Sequence, residues 1–278
     1  MTPEDYAEIV ARALAEDLAD CGDITSAAII PEGAPSVGYL VARVPGVVAG
    51  LEVAAHVFAV VDSESSFERY LVDGDRVQAG QRLARVEGPA RSLLTAERTA
   101  LNLIGRMSGV ATATAKLVAA VEGTGAVITD TRKTMPGLRV LDKYAVRMGG
   151  GVNHRMGLYD AVLIKDNHIT AAGDLREAIA RARDSVGPEV MVEVEVEDLD
   201  QLTVVLETSA DRVLLDNMDL VTLGKAVEMV AGRIATEASG GVTLETVREI
   251  AETGVDFISV GWITHSAPQL DIALDFVS

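Results

Sequence analysis

Cysteine is almost missing from this chain of 278 residues, with Cys21 standing alone. A single thiol excludes an internal disulfide and any cysteine-rich metal site, and it fits a reducing compartment. Long apolar runs are missing too. Gly, His or charged residues interrupt each of them well short of the ~18 residues that a membrane span needs, so no membrane span is expected. The first residues, Met1-Thr2-Pro3-Glu4-Asp5, lack an apolar stretch with a basic flank, so no signal peptide is expected either. Positive charge is scarce: 24 Lys and Arg stand against 42 Asp and Glu, for a net charge of −18. That balance argues against nonspecific nucleic-acid binding, yet it leaves room for a small anion in a local basic pocket. What is plentiful is apolar mass. At 49% hydrophobic residues, the chain can build a sizeable core in one large or two medium domains, and the composition reads as that of a soluble cytoplasmic protein.

One stretch departs from the acidic background. From Asp130 to His168 there are seven Lys or Arg (Arg132, Lys133, Arg139, Lys143, Arg147, Arg155, Lys165) against four acids (Asp130, Asp142, Asp160, Asp166). Arg139, Lys143 and Arg147 are spaced by four and equally fit a solvated helix face. Arg132, Lys133 and Lys165 fit that reading less well. They follow the apolar runs 126–128 and 161–164, at the ends of expected buried strands, where α/β folds bind ligands.

Thr2 and Pro3 predict a helix start, and Ile9, Val10, Ala13, Leu14 and Leu18 give that helix an apolar stripe to about Ala19. Residues 21–25 are turn-like. Residues 36–48 read as strand, turn at Pro45-Gly46, strand, and 51–61 as a helix. Short strands at 67–71 and 82–86 flank Asp73-Gly74-Asp75-Arg76-Val77-Gln78-Ala79-Gly80, a hairpin similar to those of biotinyl and lipoyl carriers but without a lysine at its turn. A long Ala-rich helical run from Arg91 to about Glu122 carries an expected break near Ser108-Gly109. The domain boundary is placed there, giving an α+β domain over 1–108 with an antiparallel sheet, and a second domain over 109–278.

In that second domain apolar runs alternate with helical segments. Strands are expected at 127–131, 162–165, 190–196, 213–216, 234–237 and 257–260. Helices are expected at 138–148, 172–186, 199–206, 220–231, 244–252 and 268–276, with the last one free to pack back on the first domain. Strand then helix, six times, predicts a parallel sheet with right-handed crossovers. Six strands are too few for a full eightfold barrel, so an incomplete, open α/β barrel is expected. A doubly wound sheet stays open as an alternative, although no G-x-G-x-x-G follows the first strand.

Each of these strands ends in polar residues, and a barrel would gather them on one rim. Glu195 and Asp216 suit sugar hydroxyls or a hydrated Mg²⁺, which prefers one or two carboxylates with substrate oxygens. No His/Cys cluster suggests zinc. Ser239-Gly240-Gly241, with Thr243 as an expected helix cap, and Ser259-Val260-Gly261 are glycine turns of the kind that cradle phosphate. Arg132, Lys133, His154, Arg155 and Lys165 face a second anion, and arginine offers the fork geometry that carboxylates favour. Lys165 at a strand end also admits a Schiff-base reading, that of a class I aldolase, which the surrounding arginines disfavour.

Several long motifs then narrow the reading. Residues 131–139 (Thr-Arg-Lys-Thr-Met-Pro-Gly-Leu-Arg), 143–146, Gly149-Gly150-Gly151-Val152-Asn153-His154-Arg155, Leu163-Ile164-Lys165-Asp166-Asn167-His168, Leu215-Asp216-Asn217 and Ala238-Ser239-Gly240-Gly241 resemble the quinolinate phosphoribosyltransferase family. The likeness runs in order from Glu16 through Gly22-Asp23-Ile24-Thr25-Ser26 to His265. Met135, where the family often has threonine, and the bulky Trp262 depart from the pattern without removing a charged contact.

The resemblance implies an N-terminal open-faced sandwich and a C-terminal incomplete α/β barrel. It also implies a homodimer with shared active sites, with room for a trimer of dimers. The implied reaction joins quinolinate and phosphoribosyl pyrophosphate, with Mg²⁺, into nicotinate mononucleotide, pyrophosphate and CO₂, a step of de novo NAD synthesis. Carried over motif by motif, Arg98, Thr131, Arg132, Lys133, His154, Arg155 and Lys165 take quinolinate and pyrophosphate, with Arg98 supplied by the partner chain. Glu195 and Asp216 take ribose hydroxyls and metal, and Ser239 to Gly241 and Ser259 to Gly261 take phosphate. Lys133, Lys165, Glu195 and Asp216 are the implied catalytic set. A paralogue of the same fold with a changed substrate remains the nearest alternative.

Overall fold

The computed structural model describes residues 1–277. They form two compact units: one combines Met1–Ala115 and Thr134–Gly150 with the chain from Ile263 onward, and the other combines Lys116–Lys133 with Gly151–Trp262. No helix among the described residues is long and apolar enough to cross a membrane.

In the first unit, helix α1 (Pro3–Leu18) buries Tyr6, Ile9, Val10 and Leu14 along one stripe. Its start is closed by the Asp5 carboxylate, which accepts the Thr2 N–H at 2.7 Å. Helix α2 (Ile24–Ile29) occupies part of the stretch expected as a turn, because the Asp23 carboxylate accepts from the Ser26 N–H and caps it. Strands β1 (Pro35–Ala42) and β2 (Gly46–Val47), helix α3 (Leu51–Val61) and strands β3 (Ser66–Arg69), β4 (Arg76–Val77) and β5 (Arg82–Pro89) follow. Helix α4 (Ala90–Ala120) then runs for 31 residues without the break expected near Ser108-Gly109. The Ser108 hydroxyl is turned outward from the helix ladder, accepting the Ala49 N–H at 3.0 Å and donating to the Ala49 carbonyl at 3.1 Å. Gly109 serves close approach, since a Cβ there would lie 2.2 Å from the Pro268 carbonyl oxygen. The glycine thus admits another segment and leaves the helix intact.

In the second unit, strand β6 (Val127–Thr129) leads out through residues 130–133 to helix α5 (Arg139–Met148), which belongs to the first unit. Strand β7 (Val162–Ile164) then begins a regular alternation: α6 (Asp166–Ala172), α7 (Leu175–Ser185), β8 (Val192–Val196), α8 (Leu199–Val205), β9 (Arg212–Asp216), α9 (Leu220–Val230), β10 (Ala235–Ser239), α10 (Val247–Glu252) and β11 (Phe257–Ser259). The single helix expected at 172–186 is two helices. Gly173 at φ 90° ends the first, and the Asp174 carboxylate caps the second by accepting the Glu177 N–H. Asp198 and Asp219 cap α8 and α9 in the same way.

The six strands are all parallel and ordered β6-β11-β10-β9-β8-β7. From β7 through β11 consecutive strands lie side by side, and β6 adds next to β11, so the winding never reverses. A doubly wound sheet requires a reversal, and that alternative is thereby removed. Because β6 and β7 are both edges, the sheet is the open, incomplete barrel expected. Alternation at period two sends Val192, Val194 and Val196 to one face, and Glu193 and Glu195 to the other.

The chain ends with α11 (Trp262–His265) and β12 (Ile272–Phe276). The helix expected at 268–276 is therefore a strand. Leu270, Ile272 and Leu274 are buried at every second position, and β12 adds antiparallel to β1, pairing Gly38 with Phe276 through to Ala42 with Ile272. The resulting sheet of the first unit has the order β12-β1-β5-β3. In the same unit Arg106 grips the fully buried Asp142 with two hydrogen bonds of 2.9 and 2.8 Å and donates to the Thr264 carbonyl at 2.7 Å.

Candidate active site

The parallel sheet of the second unit opens at its C-terminal strand ends into a cavity of about 590 Å³, a size suited to a small-molecule ligand. Thr131, Arg132 and Lys133 line it after β6, and His154 and Arg155 from the next loop. Lys165 follows β7, Glu195 is the last but one residue of β8, Asp216 ends β9, Ser239 ends β10 with Gly240 and Gly241 after it, and Ser259 ends β11. The structure thus brings together, from six strand ends, most of the residues singled out in the sequence. Val260 is buried and Gly261 half-buried, and neither lines the cavity. Arg98 lies on α4 in the first unit, outside the lining.

Asp130, wholly buried just past β6, organises the cationic wall. Its carboxylate accepts the Asn153 side-chain amide at 2.6 Å and the His154 N–H at 2.9 Å, fastening the loop from Val152 alongside the strand. Arg155 follows, with one guanidinium nitrogen donating to the Ala161 carbonyl at 3.0 Å. Burial first, and then the neighbouring Arg132, pull the Arg155 pKa below its ordinary value. It nonetheless stays charged, so two crowded guanidiniums favour an incoming anion. Lys165 is ion-paired with Glu195, which is only 13% exposed.

Beneath this rim lies a buried cluster in which Glu193 and Glu237, both without exposure, and Arg212, none of them assigned from sequence, gather with His154, whose ring, expected to face an anion, turns instead to the two carboxylates. Arg212 approaches Glu237 at 3.1 Å and lies over the Phe257 ring at 4.0 Å. His154 Nε2 is 2.8 Å from Glu193 Oε2 and 3.6 Å from Glu237 Oε1. Its Nδ1 accepts the Arg155 N–H at 2.8 Å, so the ring proton sits on Nε2. Burial opposes a second proton on the ring, while Glu193 and Glu237 favour it, and the net effect raises the His154 pKa. That second proton would need Nδ1, which the Arg155 N–H already occupies. The hydrogen bonds therefore fit a neutral ring, with the cluster's extra proton on Glu237, whose carboxyl burial and Glu193 push up to about 7. His154, Glu193 and Glu237 could in principle hold a metal, their donor atoms lying within 4.8 Å of one another. A cation would need the Nε2 lone pair, which carries the proton, so the cluster is a proton and ion-pair network.

Leu163, Leu214, Asn217 and Glu237 complete the lining and were also not assigned from sequence. A signal was present. Glu237 precedes Ser239 by two residues, Leu214 precedes Asp216 by two, and Glu193 precedes Glu195 by two, so strand periodicity alone puts each pair on one face. Of the other basic residues, Lys143 is fully buried, contrary to a solvated helix face, and Arg147 is exposed beside the Tyr144 ring. Arg139 donates to the Thr134 hydroxyl at 3.0 Å. All three lie on α5, outside the cavity lining.

The helix expected from Leu244 starts later, at Val247, because Thr243 and Thr246 bond each other's N–H and hydroxyl groups in the preceding turn. Gly240 and Gly241 have φ of 98° and 60°, a left-handed conformation that favours glycine. The Trp262 indole donates to the Val242 carbonyl at 3.1 Å and so ties down this turn.

Known proteins match this chain along nearly all its length. The model of the quinolinate phosphoribosyl transferase N-terminal domain matches residues 23–108, and that of the C-terminal domain matches residues 110–275. A nicotinate-nucleotide pyrophosphorylase [carboxylating] of Mycobacterium leprae is 48% identical over 276 residues, 96% of each chain. A mitochondrial quinolinate phosphoribosyltransferase [decarboxylating] of Nicotiana glauca is 44% identical over 288 residues, 97% of this chain and 82% of the relative. The solved nicotinate-nucleotide pyrophosphorylase from Francisella tularensis superposes with a TM-score of 0.95 at 39% identity, covering 100% of this chain and 98% of that one. With both domain models matched in order and identities of this size over nearly the whole chain, this protein belongs to the quinolinate phosphoribosyltransferase family.

Proposed function

We propose that this chain transfers the phosphoribosyl group of phosphoribosyl pyrophosphate to quinolinate with loss of CO₂, forming nicotinate mononucleotide and pyrophosphate for de novo NAD synthesis. The observation that carries the reading is a cavity with two unlike walls: Arg132, Lys133 and Arg155 on one, and Glu195, Asp216 and the Ser239–Gly241 turn on the other. The cationic wall suits a dicarboxylate and a departing pyrophosphate. On the opposite wall, the acids suit ribose hydroxyls and the glycine turn suits the 5-phosphate, with Ser259 to Gly261 as a second phosphate turn.

The pyridine nitrogen attacks the anomeric carbon as the bond to pyrophosphate breaks, through an oxocarbenium-like state. Lys133, Lys165 and the arginines offset the charge that develops on the leaving group. In the resulting pyridinium, the C–CO₂ bond breaks with its electron pair left on the ring carbon, which then takes a proton from water. No side-chain nucleophile is needed, so the protein's part is positioning and electrostatics. An ion-paired Lys165 is not the free amine that Schiff-base chemistry requires.

Mg²⁺ fits this donor set. Asp216 Oδ2 accepts from the Asn217 side chain at 2.7 Å, while Oδ1 has no protein partner among the described residues; Glu195 stands on the neighbouring strand. Asp216 and Glu195 would hold the ion together with substrate oxygens. When bound, it supplies charge neutralisation to the pyrophosphate. We further read the protein as a cytoplasmic homodimer in which Arg98 of each subunit completes the partner's cavity, a reading supported by the arginine-rich wall and the acidic, nearly cysteine-free composition.

The deciding assay follows CO₂ and nicotinate mononucleotide formation from quinolinate, phosphoribosyl pyrophosphate and Mg²⁺. Turnover that stops on adding EDTA and resumes with excess Mg²⁺ is expected, and nicotinate in place of quinolinate should not react. Failure to release CO₂ from quinolinate sinks the proposal.

A further inference from the structure

Asn217 is one of three non-glycine residues with positive φ among the described residues, at 53°, and of these three it alone lines the cavity. Asparagine tolerates this left-handed conformation better than most residues, but it still carries strain that its surroundings must hold. Three contacts hold it. Its N–H donates to the Ser239 carbonyl at 2.8 Å, joining the end of β9 to the end of β10. Its side-chain amide donates to Asp216 Oδ2 at 2.7 Å. Its Oδ1 and Cγ press on Gly240, where an added Cβ would lie 2.1 and 2.5 Å from them. One side chain therefore touches the acid of β9 and the glycine turn after β10, and its backbone pins the strand between them.

We propose that Asn217 is a positioning residue that sets the separation and orientation of the Asp216 carboxylate and the Ser239–Gly241 turn, and so the fit of phosphoribosyl pyrophosphate. The inference rests on the function proposed above, in which these two groups take the sugar and phosphate ends of that substrate. Asn217 need not touch the reacting atoms. Its effect falls on the phosphoribosyl substrate and spares quinolinate, whose wall is built from β6 and the 152–155 loop.

The test compares wild type with Asn217→Gly, which keeps the left-handed backbone accessible and removes only the amide. Steady-state kinetics should show KM for phosphoribosyl pyrophosphate raised about tenfold, as expected for losing a hydrogen bond to a charged group, with KM for quinolinate within about twofold. Calorimetric titration of Mg²⁺–phosphoribosyl pyrophosphate in the absence of quinolinate should show the same loss in Kd, independent of turnover. If Asn217→Gly does not fold, Asn217→Asp, which is isosteric and lacks the donor, takes its place and should weaken binding at least as much. Unchanged Kd in a folded variant overturns the inference, as does an equal rise in both KM values, which would mark a merely structural role. Wild type that neither binds nor turns over phosphoribosyl pyrophosphate overturns the function itself and this inference with it.

Discussion

At the rim of the cavity Lys165 is 42% exposed and Lys133 is open to solvent, while one pleat below, Glu193 and Glu237 have no exposure at all. The two layers use similar residues. Glu193 and Glu195 sit two positions apart on β8, as do Glu237 and Ser239 on β10, while Arg212 and Asp216 sit four apart on β9. A rise of about 7 Å along a strand separates neighbouring layers. That distance changes the surroundings from wet to dry, and with them the role of a charge. In the floor, Arg212 and the Nε2–H of His154 offset two carboxylates that could not otherwise stay buried. At the rim, charges remain partly solvated and available to a ligand. The difference teaches that substitutions in the rim should reduce activity and spare the fold, whereas those in the floor should reduce stability first.

The largest effect expected is at the rim. Arg132→Ala or Arg155→Ala should lower kcat/KM for quinolinate by about a thousandfold or more, the scale of lost transition-state charge stabilisation, with an unchanged circular dichroism spectrum. Wild-type rates in either variant would erase the assigned difference between the layers. Next, Arg212→Ala leaves Glu237 and Glu193 buried without their fixed cation and should destabilise the fold by about 3 kcal/mol in urea denaturation. A loss below ~1 kcal/mol would show the floor to be wetter than drawn.

The pH dependence sharpens the same contrast. The Glu237 carboxyl stands at about 7 in the folded protein against an ordinary value of 4.5. The folded form therefore keeps a proton that the unfolded chain gives up, and raising the pH from 4.5 to about 7 should lower stability through this group. Denaturation midpoints measured across this range should fall more steeply in wild type than in Glu237→Gln. An equal slope in both would place the proton elsewhere. The smallest effect concerns the support behind the rim. Asp219→Ala removes the cap of α9, which follows Asp216, and should cost about 1 kcal/mol in thermal or urea unfolding with little change in KM.

Much of the second unit was legible in the sequence because parallel strands buried on both sides are short apolar runs, and helical segments alternate with them. The strand ends were legible for the same reason, since a polar residue after such a run has to emerge at the rim. Legibility failed where one local pattern served two structures. Leu270, Ile272 and Leu274 suit either a helix or a strand, and the open edge of β1 decided for β12. Ser108-Gly109 reads as a helix breaker, but the close approach of Pro268 gave the glycine its use inside α4. Lys143 looked like one of three evenly spaced surface cations, and only burial against the rest of its unit set it apart.

By itself the sequence determined the composition of the site: which basic, acidic and glycine residues end the strands, in what order, and with motifs specific enough to indicate a family. Tertiary structure decided which of those residues share one cavity and which lie beneath it. The floor of Glu193, Arg212, Glu237 and His154 arises from strands far apart in the chain that become neighbours only when the sheet forms. Charge pairing at that depth depends on desolvation, a property of the assembled sheet and not of any segment of it.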